Sequence, residues 1–251
     1  MNRAEPKYVE KKAYLSRYMN ARALALREAE ASDSEKRNDV EWTRFMAKEA
    51  KAFIPFLTKK CDIGFRGRIL EIGAGRAWFS AELSKLPTVV ELIVTDISPR
   101  LLKEHAPKTF VSLKANHAKI TLMPGDFHQL DFPDNHFDFV VCSAVLVHAV
   151  NVVQVLREAK RVLKNGGQFV AIREPVPALA EMQPRAKRIQ KKTASYSLGH
   201  YKELFKQAAL PLEVKSVSLS SGLKYYLNNM VNGLTHARYV FIGTKRSRSA
   251  R

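Results

Sequence analysis

Cysteine is scarce: the 251 residues hold two, Cys61 and Cys142, far apart in sequence. That excludes a disulfide framework, gives no metal-like spacing and leads us to expect no metal. It also points to a reducing compartment, so a cytoplasmic location is expected. A long unbroken apolar run is also missing. The longest candidate, Phe137 to Leu156, is interrupted by Asp138, His148 and Asn151. It divides into a buried strand and a following helix rather than a membrane span. The first residues have no apolar leader core, and Glu5 and Glu10 argue against an acid-poor transit peptide, so neither is expected. Acids are outnumbered, 24 Asp and Glu against 42 Lys and Arg, for a net charge of +18. The shortage is C-terminal: residues 157–251 carry 5 acids and 19 basic residues. Such asymmetry suits nucleic acid, anionic lipid or an anionic substrate, and equally a solvated basic surface. Hydrophobic residues, at 46%, are plentiful enough for a sizeable core.

Residues 1–60 read as a helical extension or cap. Tyr8, Leu15, Tyr18, Met19 and Leu26 recur at roughly helical spacing, and Ser32-Asp33-Ser34 would break this helix and cap the next. The second helix would carry Val40, Phe45, Phe53 and Phe56 near one side. Most of these residues are expected to pack, while Tyr14, Tyr18 and Trp42 could line a pocket.

From Arg68 strands and helices alternate. Strands are expected at Arg68–Ile72, Val89–Thr95, Lys119–Met123, Phe137–Cys142 and Gln168–Arg173, and helices at Arg76–Leu86, Ser98–Ala106 and Val150–Leu163. Asn165-Gly166-Gly167 reads as a glycine stop for the last helix. This rhythm implies a doubly wound, mostly parallel α/β sheet. Prolines and a basic run, Arg185 to Lys192, follow; then come a helix at Gly199–Ala209 and strands at Leu212–Leu219 and Arg238–Thr244. The domain would span 61–245 with a basic cap insertion near 175–198, and residues 246–251 would form a disordered basic tail.

Four strand ends fall in register, at the edge where open α/β sheets bind ligands. The first is Gly73-Ala74-Gly75, a turn that lets a ligand approach the backbone. Glu71, inside the strand before it, could organise loop amides around a charged amino-acid portion. Asp96 ends the next strand and can accept from both hydroxyls of a ribose. Asp126 and Phe127 follow the third, one to accept from an adenine amine and the other to pack on the ring. Ser143 follows the fourth. A nicotinamide dinucleotide site would need a third glycine where Trp78 stands. Trp78 is too bulky for that packing, which favours an adenosyl ligand without a pyrophosphate.

The stretches Ile69–Ala77, Asp96, Gly125–Phe127 and Phe137–Cys142 resemble the successive motifs of class I S-adenosylmethionine-dependent methyltransferases. Leu156 to Gly167 is similar to a segment of their small-molecule branch, the ubiquinone/menaquinone-biosynthesis type. The resemblance implies a seven-stranded Rossmann-like methyltransferase fold and S-adenosylmethionine as cofactor. It assigns Glu71, Gly73, Ala74 and Gly75 to the methionine-side loop and Asp96 to the ribose. Ile97 goes against the adenine, Asp126 and Phe127 hold the base, and Ser143 touches the methionine portion. Ala77 replaces the usual third glycine of that loop. Arg76 is unusual there, with two readings open, site or solvent.

His148 resembles a histidine found after the fourth strand in this family and is the candidate general base; a structural role capping the helix at Val150 is the other reading. Tyr18, Arg173 and Tyr196 are candidate substrate contacts; Arg173 and Glu174 could bind a polar substrate or pair with each other. The first functional reading is methylation of a small molecule at O, N or C, with an anionic acceptor suiting the basic cap. An RNA methyltransferase is the second reading, and a non-catalytic partner subunit is the third. No Asn-Pro-Pro-Tyr-like tetrapeptide follows the fourth strand, which disfavours the amino-group DNA and glutamine methylases.

Overall fold

A computed structural model describes residues 6–9, 39–176, 196–217 and 238–247. Tyr18, the basic run 185–192 and residues 248–251 lie outside them. In chain order the strands are β1 (Lys7–Tyr8), β2 (Gly67–Ile72), β3 (Val89–Asp96), β4 (Ile120–Pro124), β5 (Phe137–Ser143), β6 (Leu163–Ile172), β7 (Leu212–Ser216) and β8 (Tyr239–Thr244). The helices are α1 (Asp39–Pro55), α2 (Trp78–Leu83), α3 (Ala106–Leu113), α4 (Val152–Val162) and α5 (Leu198–Gln207). The strands form one sheet in the order β1-β4-β3-β2-β5-β6-β8-β7. Pairs from β1 to β6 are parallel, while β8 runs antiparallel to both β6 and β7.

Period-two alternation feeds both faces of this sheet. Ile69, Leu92, Val94, Val141 and Val170 pack on one side with Met46 and Phe53 of α1, Phe79 of α2 and Phe110 of α3. Leu70, Ile72, Val140, Cys142 and Phe169 pack on the other with Val155, Leu156 and Ala159 of α4 and Phe205 of α5. The expected doubly wound architecture is present. All parallel strands therefore end along one edge, and the four ligand motifs meet there.

The described sheet has eight strands rather than seven. Lys7 and Tyr8, expected at the start of a helix, pair with Thr121 and Leu122 at the free edge of β4. Tyr8 also packs on the core, with the Lys103 Nζ 4.6 Å from its ring. A two-residue strand has no periodicity to read, so only the tertiary pairing defines it.

In α1 the buried stripe is Met46, Ala50 and Phe53, continued by Leu57 in the π-helical turn Phe56–Lys60. Val40 and Phe45 are exposed, against the expected grouping.

The glycine stop of α4 is also corrected. The helix ends at Val162 and β6 starts at Leu163 with no loop. Its last carbonyls are taken by neighbours: Asn135 N donates to Arg161 O (3.1 Å) and His136 N to Val162 O (2.8 Å). With those acceptors satisfied, no left-handed cap is required. Gly166 and Gly167 instead pair with Lys245 beyond β8.

Candidate functional site

β2 delivers the chain into a turn where Gly73 has φ +60° and Gly75 φ +55°. At Gly73 glycine is required twice over. The left-handed backbone is one reason, and a Cβ there would lie 2.8 and 2.9 Å from the two Cγ atoms of Val145. Ala77, the family's glycine position, also has positive φ (57°) as it enters α2. Alanine pays the strain that a glycine would avoid.

Asp96, at the end of β3, ties this turn to the next. Its Oδ2 accepts from Gly75 N (2.7 Å) and its Oδ1 from Ser98 N (2.9 Å). A carboxylate at this strand end is the kind of group that accepts hydrogen bonds from a vicinal diol. Gly125 N in turn donates to Asp96 O (2.9 Å), which places the Asp126-Phe127 loop beside it.

These loops enclose a cavity of about 250 Å³. Gly73, Ala74, Gly75, Asp96, Ile97, Leu101 and Phe127 line one part of it, and Ser143, Ala144, Val145 and His148 come from the end of β5. Arg76, Trp78, Arg173 and Trp42 of α1 complete the wall. Seven of the nine expected cofactor residues therefore converge, together with His148, Arg173 and Trp42. Ser143 Oγ is buried and has no hydrogen-bond partner among the described residues. A hydroxyl left so beside a cavity suits a polar ligand.

Glu71 and Asp126 are placed differently from the expectation: both sit one layer behind the cavity wall. Glu71 is 1% exposed, and its Oε2 accepts from Ser80 N (2.9 Å) in the first turn of α2. Burial pushes its carboxyl up to about 7, against the lowering effect of the Ser80 hydrogen bonds, with the Asp96 charge raising it further. Asp126 Oδ1 accepts from His128 N and faces His128 Nδ1, both at 2.8 Å. His128 Nε2 accepts from Val150 N (3.1 Å) and Asn151 N (3.3 Å). Nε2 therefore carries no proton, and Nδ1–H donates to Asp126. The histidine holding the start of α4 is thus His128, not His148. Its signal in sequence is only its position two residues after Asp126.

His148 ends a short 3₁₀ turn, Leu146–His148, and lines the cavity. Glu174 braces that turn. Its Oε1 accepts from Val145 N (2.8 Å) and Leu146 N (3.1 Å). Burial raises its carboxyl to about 7, and that charge is the second cause, after burial, holding the Cys142 thiol up. Glu174 does not pair with Arg173. Arg173 instead reaches Met46 Sδ (3.7 Å) and Glu49 Oε2 (4.0 Å), both on α1. Tyr196 does not line the cavity; its ring meets those of His200 and Tyr201 edge-on. A larger groove, about 530 Å³, lies at the other edge of the sheet between α5 and β7. It lacks the converging polar groups of the strand-end cavity. Among the described residues there is no cluster of metal-ligating side chains, and no helix is long and apolar enough to cross a membrane.

A parallel sheet with loops converging at these strand ends is the arrangement in which open α/β domains bind ligands. Residues 70–171 match the family described as methyltransferase domain. Over this stretch the chain is similar to methyltransferases. A demethylmenaquinone methyltransferase from Deinococcus radiodurans is 31% identical over 140 residues, 56% of this chain and 52% of that protein. One from Staphylococcus carnosus is 34% identical over 122 residues, 48% of each chain. The chain spans about half the length of the curated relatives it matches. The fold is shared with an O-methyltransferase family protein from Burkholderia thailandensis, at TM-score 0.61, 12% identity, and coverage of 84% of this chain and 60% of that one. It is also shared with a protein from Pyrococcus horikoshii, at TM-score 0.58, 22% identity, and coverage of 79% and 90%.

Proposed function

We propose that this chain transfers a methyl group from S-adenosylmethionine to a small-molecule acceptor. The observation that carries this is the convergence of Gly73–Gly75, Asp96, Phe127 and Ser143 on one cavity at the ends of parallel strands. The residues fit the cofactor. Asp96 ends the strand where a carboxylate would accept from the ribose hydroxyls, Ile97 and Phe127 give the base an apolar and aromatic bed, and Ser143 offers a hydroxyl toward the amino-acid portion. Glu71 and Asp126 act from behind, holding α2 and the His128 strut. The cofactor, when bound, supplies an electrophilic methyl on a sulfonium. The protein must then hold the acceptor in line and take up its proton, and His148 in the cavity wall is the group for that. Relatives named as ubiquinone/menaquinone biosynthesis C-methyltransferases favour a carbon acceptor, with oxygen or nitrogen as the alternatives.

Calorimetry with S-adenosylmethionine tests the reading. Micromolar-range binding is expected, weakened about tenfold to hundredfold in Asp96→Ala, which removes the diol acceptor and the Gly75 tie together. Unchanged affinity in that variant would remove the cofactor assignment. The basic excess of residues 157–251 supports RNA as a second acceptor class. RNA binding that shows no steep loss with salt would exclude it. Cofactor binding with no turnover of any acceptor would favour the partner-subunit role.

A further inference from the structure

Among the described residues the sheet stops at β7, and the outer side of that strand is open. Two hydrogen bonds fix which way its backbone points: Thr244 N donates to Pro211 O (3.0 Å) and Val217 N to Arg238 O (2.7 Å). Antiparallel pairs bond at alternate residues, so Pro211, Glu213, Lys215 and Val217 turn their backbone polar groups toward β8. Leu212 and Val214 turn theirs to the outer side, where no described strand pairs with them. Their side chains pack on the sheet face that carries Phe205 of α5.

The groove of about 530 Å³ lies along this edge. Ala209, Leu210, Pro211, Leu212 and Val214 give it an apolar floor, and Lys202 and Lys206, one turn apart on α5, rim it. Both lysines are exposed, and neither pairs with a carboxylate among the described residues. The acid between them, Glu203, accepts instead from Gln207 Nε2 (3.2 Å). Two more cations close the end of α5: Arg157 donates to Gln207 O (3.3 Å) and Lys160 to Ala209 O (2.7 Å). An unpaired strand edge, an apolar slot and a positive rim therefore adjoin one another.

An added strand satisfies such an edge, and the side chains beside it decide which strand is accepted. A second copy of this chain is a poor match. It would gather both pairs of lysines about a two-fold axis, between chains that each carry a net charge of +18. An acidic strand meets the rim with opposite charge. Side chains alternate along a strand, so every second residue faces α5. The matching pattern is acid–x–apolar–x–acid.

We propose that the outer edge of β7 takes up an extended acidic segment of a partner protein as an added strand. The segment's backbone bonds Leu212 and Val214, its apolar side chain fills the groove, and its carboxylates meet Lys202 and Lys206. This surface shares no lining residue with the strand-end cavity and does not depend on what binds there.

The test uses the full chain and two fluorescein-labelled peptides of the same composition, read by fluorescence anisotropy. Thr-Asp-Thr-Leu-Thr-Glu-Thr places both acids on the face of its leucine, and Thr-Thr-Asp-Leu-Glu-Thr-Thr places them on the opposite face. The first is expected to bind with Kd below about 1 mM and at least about fivefold more tightly than the second, the range of two exposed ion pairs. In the double variant Lys202→Glu, Lys206→Glu that preference should vanish, and a peptide with lysine in place of both acids should bind instead. That exchange of partners also shows the variant to be folded. Amide hydrogen exchange separates strand addition from loose charge pairing. With the first peptide near saturation, the amides of Leu212 and Val214 should slow at least about fivefold, while those of Glu213 and Lys215, on the β8 side, change less than about twofold. No binding at about 5 mM overturns the proposal, as does equal binding of the two peptides or a preference that survives the double variant. Unchanged exchange at Leu212 and Val214 overturns the added strand. If sedimentation velocity shows that the chain alone dimerises, and the same two amides are protected in the dimer, the occupant is a second copy and the proposal fails.

Discussion

Replacing Glu71 by Gln should make the protein more stable in base and change it little in acid. The folded chain holds this carboxyl at about 7, against an ordinary value of 4.5. Between those pH values the folded state keeps a proton that the unfolded state has released. Folding therefore takes up a proton, and stability falls as pH rises from about 4.5, levelling off above about 7. The full cost is about 3 kcal/mol, of which about 1 kcal/mol is already present at about pH 5.5. Glutamine keeps a carbonyl oxygen for Ser80 N and removes the titration. Any penalty from its buried NH₂ is independent of pH. The stability of Glu71→Gln relative to the parent should thus rise by about 2 kcal/mol between about pH 5.5 and about pH 8.5. For a domain of this size that is about 4–8 °C in the difference between melting temperatures. Glu174, which titrates similarly, is present in both proteins and cancels. Urea unfolding followed by far-UV circular dichroism at several pH values measures the difference. A difference that stays constant with pH to within about 0.5 kcal/mol would refute both the perturbed carboxyl and its assignment to Glu71.

Three other substitutions probe the turn and the base. Gly73→Ala forces a Cβ against Val145 at a positive φ and should cost about 1–3 kcal/mol, whereas Gly125→Ala meets Thr95 only at ordinary contact distance (3.6 Å). Parallel thermal melts compare them, and equal losses would contradict the packing argument. His148→Ala should lower kcat about 10²–10⁴-fold on an acceptor that turns over, with cofactor affinity changed less than about threefold. A loss of only a few-fold would leave His148 as a wall residue.

The central strands were legible in the sequence because their apolar runs end abruptly at glycine or aspartate. Asp96 and the Gly73–Gly75 turn were readable for the same reason. What the sequence did not reveal is depth. Spacing places Glu71 and Asp126 near a strand end but does not say whether a carboxylate faces the cavity or a backbone amide behind it. The roles of the two histidines could not be separated from spacing either, because His128 reaches Val150 only through the folded loop. Partners distant in sequence also decided the end of α4. Loop amides at Asn135 and His136 take the carbonyls for which a glycine cap had been expected. In α1 the apolar residues outnumber the positions that face the sheet, so Val40 and Phe45 could not be sorted from Met46 and Ala50 by composition.

The chain contains two tryptophans, and both stand in one cavity wall. Tryptophan emission is therefore a local signal, tuned by the cations that Arg76 and Arg173 hold against the rings. Trp42 rides on α1, while Trp78 belongs to the central domain. Lifting α1 away would change the colour of the emission before the sheet loses any ellipticity. A melting curve recorded by fluorescence would then report when the cavity opens, and one recorded by circular dichroism when the domain unfolds.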